Sequence, residues 1–100
     1  MLERFKVPEK DRVYVPQERM RAVTEAIFRH NGVSDEDAGV SADVLMKNDL
    51  RGNESHGVSN GMRRYVREYG TETINPTPKY KVIRESKTTM TVDAVGALGT

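Results

Sequence analysis

Apolar residues recur at helical spacing in three blocks between Pro16 and Gly70, each closed by a glycine, and beyond Pro78 the spacing changes to the alternation of strands. In the first block, Pro16 suits the first turn of a helix, where its missing N–H costs nothing. Met20, Val23, Ala26 and Ile27 then share a face, with Phe28 beside them, and Asn31-Gly32 provides a stop. His30 falls in the last turn and reads as structural or exposed. The second block opens with Ser34-Asp35-Glu36-Asp37, a capping serine followed by acids that favour the positive end of a helix dipole. Its stripe is Ala38, Ala42, Leu45 and Asp49, with Val40 and Val44 alongside, and it ends near Leu50-Arg51-Gly52. The third block runs from Val58 to Tyr69, with Val58, Met62, Tyr65, Val66 and Tyr69 on one face and Gly70 as terminator. Its Met and Tyr residues read as core.

The flanks are extended. Residues 1–15 form an N-terminal arm in which Pro8 and Pro16 bracket Val13-Tyr14-Val15, the pattern of a short edge strand. Ile74-Asn75-Pro76-Thr77-Pro78 is an irregular connector, and Tyr80–Arg84 and Thr89–Asp93 make a β-hairpin closed by Glu85-Ser86-Lys87-Thr88. The predicted class is α+β, divided into the arm (1–15), a three-helix segment (16–70), and a connector and hairpin (71–100) that would join a larger sheet.

Composition narrows the function classes. At 100 residues the chain buries only about 60–65% of its unfolded surface. Sixteen basic residues nearly cancel fifteen acidic ones, so Arg63, Arg64 and Arg67 give no long-range field for nucleic acid or an anionic membrane. The lack of cysteine excludes disulfides and thiol chemistry. The charged N-terminus lacks the apolar stretch expected of a signal peptide, and no apolar run approaches the roughly 18 residues of a membrane span. A cytoplasmic location is the expectation.

Chemistry concentrates between the second and third helices, where Asp49, Arg51, Asn53, Glu54, Ser55, His56 and Ser59 fall within one short connector. Imidazole exchanges protons near neutral pH, and the small neighbours Ser55 and Gly57 let a ligand approach the ring of His56. Ser55 either donates to a substrate oxygen or caps the third helix. Arg51 either holds a carboxylate with its fork or pairs with Asp49 at the surface. Asp49, Glu54 and His56 do not have a metal-site spacing, and neither a Walker A loop nor a Rossmann fingerprint is present.

Several motifs in order — Asp49-Leu50-Arg51-Gly52, Glu54-Ser55-His56-Gly57-Val58, Tyr65 and Gly70, Ile74-Asn75-Pro76, Pro78, Val92-Asp93 and Gly96-Ala97-Leu98-Gly99 — resemble the N-terminal part of the malate/L-lactate dehydrogenase family. That family also includes ureidoglycolate, sulfolactate and diketogulonate dehydrogenases and cyclic imine reductases. The resemblance implies a fold unlike the Rossmann dehydrogenases, NAD or NADP as cofactor, a small 2-hydroxy or 2-oxo acid as substrate, and a homodimer. It implies His56 as acid/base and Ser55 beside it, with Arg51 a further candidate for the substrate anion. Two positions depart from the pattern. The resemblance places a substrate-binding residue at Asn60, where many relatives carry an arginine for the substrate carboxylate, so either Arg63 or Arg64 takes over the charge or the contact differs. Ala94-Val95 stands where relatives tend to have an acidic or Gly-Asp turn. The resemblance also puts the nucleotide-binding domain beyond Thr100, so these residues alone are expected to be inactive. The competing reading is a small non-catalytic helical protein-interaction module.

Overall fold

A computed structural model of the chain describes residues 6–99. Its elements are α1 (Gln17–His30), α2 (Asp35–Leu50), α3 (Val58–Gly70), β1 (Lys81–Glu85) and β2 (Met90–Asp93), with short 3-10 turns at Glu9–Asp11 and Glu54–His56. Three helices and a two-stranded antiparallel sheet make this an α+β arrangement.

Local signals set the ends of α1 and α2. Gly32, at φ 91°, turns the chain out of α1; its N–H donates to Arg29 O (3.0 Å) and that of Val33 to Phe28 O (3.2 Å). This is a Schellman closure, and it brings Val33 and Phe28 together in the core. Ser34 Oγ accepts the Asp37 N–H at 3.2 Å and so caps α2 as expected.

The core is a cluster of Phe28, Val33, Ala38, Leu45 and Met62, with Tyr65, Tyr69 and Leu98 packed around it. Phe28 is 1% exposed and worth about 2 kcal/mol in burial alone. Its ring meets Tyr69 edge-on at 6.4 Å and Tyr65 tilted at 6.5 Å. Burial pushes the Tyr69 phenol above its usual range, helped by the nearby Asp37 charge and by Tyr65. Asp43 joins α1 to α2 by pairing with Lys47 and with Arg21 (3.0 Å), and these two partners hold its carboxyl below the usual range.

The helix faces differ from the expectation in instructive ways. On α1, Val23 is 55% exposed and Ala26 is exposed, while Thr24 is buried. Thr24 lies one turn before Phe28 and donates its hydroxyl to Met20 O at 2.7 Å, so a polar residue can sit on the packed face. On α2 the buried set widens to include Ser41 and Met46, because this helix is packed against both α1 and α3; Val40 remains half exposed. Val66, expected on the packed face of α3, is also partly exposed.

Residues 12–16 form no strand, contrary to the expected edge strand at Val13–Val15. Among the described residues no neighbouring strand supplies hydrogen bonds there, and Val13 and Tyr14 are 86% and 84% exposed. The part of the arm at residues 1–5 lies outside the described residues.

The hairpin forms one residue later than expected at the start of each strand, pairing Lys81 with Asp93, Val82 with Val92 and Glu85 with Met90 across a bulge at Ile83. Ser86 and Thr89 close its turn, with Ser86 N–H donating to Thr89 O at 2.8 Å. After β2, the 94–99 loop returns to the helices: Asn75 N–H donates to Gly96 O at 2.8 Å, and Leu98 reaches the core.

The element that positions the candidate site is the start of α3. Gly57, its N-cap, has no side chain with which to accept a free amide. Asp49, near the end of α2, does so instead: its Oδ2 accepts the Val58 N–H at 2.9 Å. A Cβ on Gly57 would overlap the Asp49 carboxylate. At φ −94° the Gly57 backbone is ordinary for any residue, so lack of space is what requires glycine here.

Two stability predictions follow from this geometry. Gly57→Ala should cost about 1–3 kcal/mol through overpacking, and Asp49→Ala about 1 kcal/mol through the lost cap. Because Asp49→Ala vacates the space the new methyl needs, the double variant should lose clearly less than the sum. Urea denaturation of the three variants measures this, and strict additivity would refute the contact. Val95 adopts φ 53°, a left-handed conformation that costs a β-branched residue about 1–2 kcal/mol. Asparagine tolerates that region, so Val95→Asn should raise the unfolding free energy by about 1 kcal/mol; an unchanged or lower value would show that no strain is stored there.

Candidate functional site

His56 sits on a turn whose two ends are fixed. Upstream, Gly52 at φ 76° reverses the chain after α2, and Asn53 N–H donates to Asn48 O at 2.8 Å. Downstream, Asp49 holds the start of α3. Between them the Glu54–His56 turn closes with His56 N–H on Asn53 O (3.0 Å) and Gly57 N–H on Glu54 O (3.1 Å).

The polar side chains of this turn are joined to one another. Ser55 Oγ lies 2.9 Å from His56 Nδ1 and donates to Asn53 Oδ1 at 3.2 Å. Asn53 Nδ2 donates to Asn48 Oδ1 (3.3 Å), and Asn48 Nδ2 to Val44 O one turn back in α2 (3.1 Å). Asn60 Nδ2 donates to the Ser55 carbonyl at 2.7 Å, clamping the turn against the first turn of α3. Ser55 therefore does not cap α3; Asp49 does.

His56, Ser55 and Asn60 line one cleft of about 530 Å³ together with Asn48, Arg64 and Tyr65. Val44, Leu45 and Gly61 supply its less polar wall. A Cβ on Gly61 would crowd the Tyr65 ring of the same helix, 3.1 Å from its Cε2, and meet Leu45 Cδ2 of α2 in ordinary contact at 3.5 Å. The Arg64 guanidinium lies 5.1 Å from the Tyr65 ring centroid and 3.9 Å from Glu68 Oε1. Arg64 thus lines the cleft, whereas Arg63 and Arg51 are not among the residues that do. Arg51 instead forms the C-cap of α2, and Asp49 is engaged with the Val58 amide. His30 is exposed at the end of α1, away from this cluster. Asn48 escaped the sequence reading; its only signal was a polar residue in the last turns of a helix, next to Asp49. Among the described residues, no group of three His, Asp or Glu side chains could hold a metal ion, and no helix is long and apolar enough to cross a membrane.

Comparison with known proteins gives this geometry a family. The chain is 37% identical over 91 residues to a malate dehydrogenase of Pyrococcus horikoshii, covering 91% of this chain and 25% of that protein. It is 36% identical over 73 residues to an L-sulfolactate dehydrogenase of Methanocaldococcus jannaschii, covering 73% of this chain and 21% of that one. The solved structure of malate dehydrogenase from Pyrococcus horikoshii superimposes with a TM-score of 0.87 over 99% of this chain and 28% of that chain, at 37% identity. Sulfolactate dehydrogenase from Methanocaldococcus jannaschii gives 0.83 over 87% of this chain and 25% of that chain, at 31% identity. The chain thus spans about a quarter of the length of these relatives. The sequence profile of the malate/L-lactate dehydrogenase family matches residues 15–100, and the chain belongs to that family.

Proposed function

We propose that this segment supplies the proton-handling part of an NAD- or NADP-dependent dehydrogenase that interconverts a small 2-hydroxy acid and its 2-oxo acid. The observation that carries the reading is the cleft in which an imidazole, His56, and a guanidinium, Arg64, line the same space. Its volume lies within the range of small-molecule pockets. In reduction, His56 donates a proton to the oxygen developing on C2; in oxidation it takes the hydroxyl proton. Arg64 is the cation for a carboxylate, in place of the neutral Asn60, whose amide is occupied by the Ser55 carbonyl. Malate and sulfolactate, named in the two relatives, are both 2-hydroxy carboxylates with a second acidic group, and a cation in the cleft suits that class.

The imidazole and guanidinium lining the cleft suit the proton and the anion of such an acid. In this reading the nicotinamide, which carries the hydride, is held mainly by residues other than those described, and the proposal for this chain is confined to the proton and the anion. A cytoplasmic homodimer, with the hairpin joining a larger sheet, completes it. The exposed Ile83, Met90 and Val92 of the hairpin are compatible with such further packing.

The test is kinetic, in the complete enzyme carrying this segment. His56→Ala should lower kcat by about 10²–10⁴-fold while cofactor affinity stays within a few-fold. His30→Ala, the control, should change kcat by less than about two-fold. Equal losses in both variants, or a loss in His56→Ala explained by lowered thermal stability alone, would remove the acid/base assignment. Arg64→Ala should raise KM for the acid by roughly 10–100-fold, the scale of one charge-assisted hydrogen bond; an unchanged KM would move the anion contact elsewhere.

A further inference from the structure

The side-chain hydrogen bonds beside His56 form one connected chain, and the direction of that chain is set at its far end. Val44 O, a backbone carbonyl, can only accept, so the Asn48 atom that meets it is the amide nitrogen. The other end of Asn48, Oδ1, is then an acceptor, and Asn53 must present its own amide nitrogen. That leaves Asn53 Oδ1 facing Ser55, whose single hydroxyl proton goes to it at 3.2 Å. Ser55 has only a lone pair left for His56 Nδ1, 2.9 Å away, so Nδ1 must carry the hydrogen.

We propose that Asn48 and Asn53 are positioning residues that hold His56 as the Nδ1–H tautomer through Ser55, leaving Nε2 as the nitrogen that exchanges a proton in the cleft. The consequence for catalysis rests on the function proposed above; the tautomer itself does not. A histidine side chain free in water favours the proton on Nε2, so the arrangement reverses the ordinary preference. A neutral ring then has its lone pair on Nε2, ready to accept a hydroxyl proton, and a charged ring can donate from that same nitrogen. The two asparagines have separate tasks. Asn53 accepts the serine proton. Asn48 prevents the Asn53 amide from turning over, which would present an N–H to Ser55, redirect its hydroxyl proton to Nδ1 and leave the hydrogen on Nε2.

Nitrogen-15 spectroscopy of the ring on the full chain at alkaline pH reads the tautomer without turnover. The expected wild-type spectrum shows His56 Nδ1 with a pyrrole-type shift and Nε2 with a pyridine-type shift, and His30, outside the network, with the reverse assignment. Asn53→Ala and Ser55→Ala should each return His56 to a predominantly Nε2–H ring. Asn53→Asp, which still accepts the serine proton, should keep Nδ1–H. Backbone amide shifts of α2 and α3 check that each variant remains folded. A wild-type His56 with Nε2–H predominant overturns the proposal whatever the variants do, as does a folded Asn53→Ala protein whose ring is unchanged. Because the spectrum needs no substrate, these outcomes are independent of whether His56→Ala loses activity, which decides the acid/base role separately.

Discussion

A carboxylate near the end of α2 accepts the first free amide of α3, and the glycine beside that amide gives it room. A helix that begins at glycine starts with unsatisfied donors, and an anion there is favoured by both hydrogen bonding and the helix dipole. Because the anion comes from another helix, the same contact that caps α3 also fixes its distance from α2. The intervening stretch becomes a closed loop with both ends anchored, and the turn that carries His56 inherits that rigidity. The cleft depends on it as well: one wall is Val44, Leu45 and Asn48 of α2, the other Asn60, Gly61, Arg64 and Tyr65 of α3.

The polar network on this frame works by direction more than by strength. Asn53, Ser55 and His56 are all exposed, and an exposed neutral hydrogen bond adds little net stability. Each group, however, has a fixed set of donors and acceptors, so the orientation imposed by one backbone carbonyl in α2 passes through two amides and a hydroxyl to the ring. Stability resides elsewhere, in the buried cluster of Phe28, Val33, Ala38, Leu45 and Met62 and in the two tyrosine rings that meet Phe28.

Much of the fold was legible because its signals are local. Ser34, Asn31-Gly32 and Gly70 mark helix ends through chemistry that acts within one turn, and the alternation after Pro78 marks the hairpin. The buried faces were less legible. Thr24 belongs to the core because its hydroxyl is satisfied inside its own helix, which periodicity in apolar residues does not detect. Val13–Val15 has strand composition but, among the described residues, no strand to pair with, and pairing is a property of the fold. At the site, the cluster around His56 was visible as a concentration of polar residues, yet the reasons for individual residues were not. Gly57 reads in sequence as room for a ligand, whereas the space is filled by Asp49. Asp49 reads as a surface partner for Arg51, whereas it caps a helix nine residues ahead. Such a contact crosses a turn whose shape no local pattern fixes.

Asn60 and Arg64 stand four residues apart on α3, so they share a face of the helix. Two arginines at these positions would repel across one turn; an asparagine followed by an arginine leaves one cation of the pair. Asn60 meanwhile serves the turn itself, through the Ser55 carbonyl. In the proposed function this division has a consequence for the substrate. The proton is exchanged at His56, at the start of α3, and the fixed charge that holds the acid lies two turns further along. A guanidinium does not titrate in the range where imidazole does, so the two groups do not compete for the same proton. In that proposal the substrate would span from the imidazole of His56 to the guanidinium of Arg64 within the one cleft that both line.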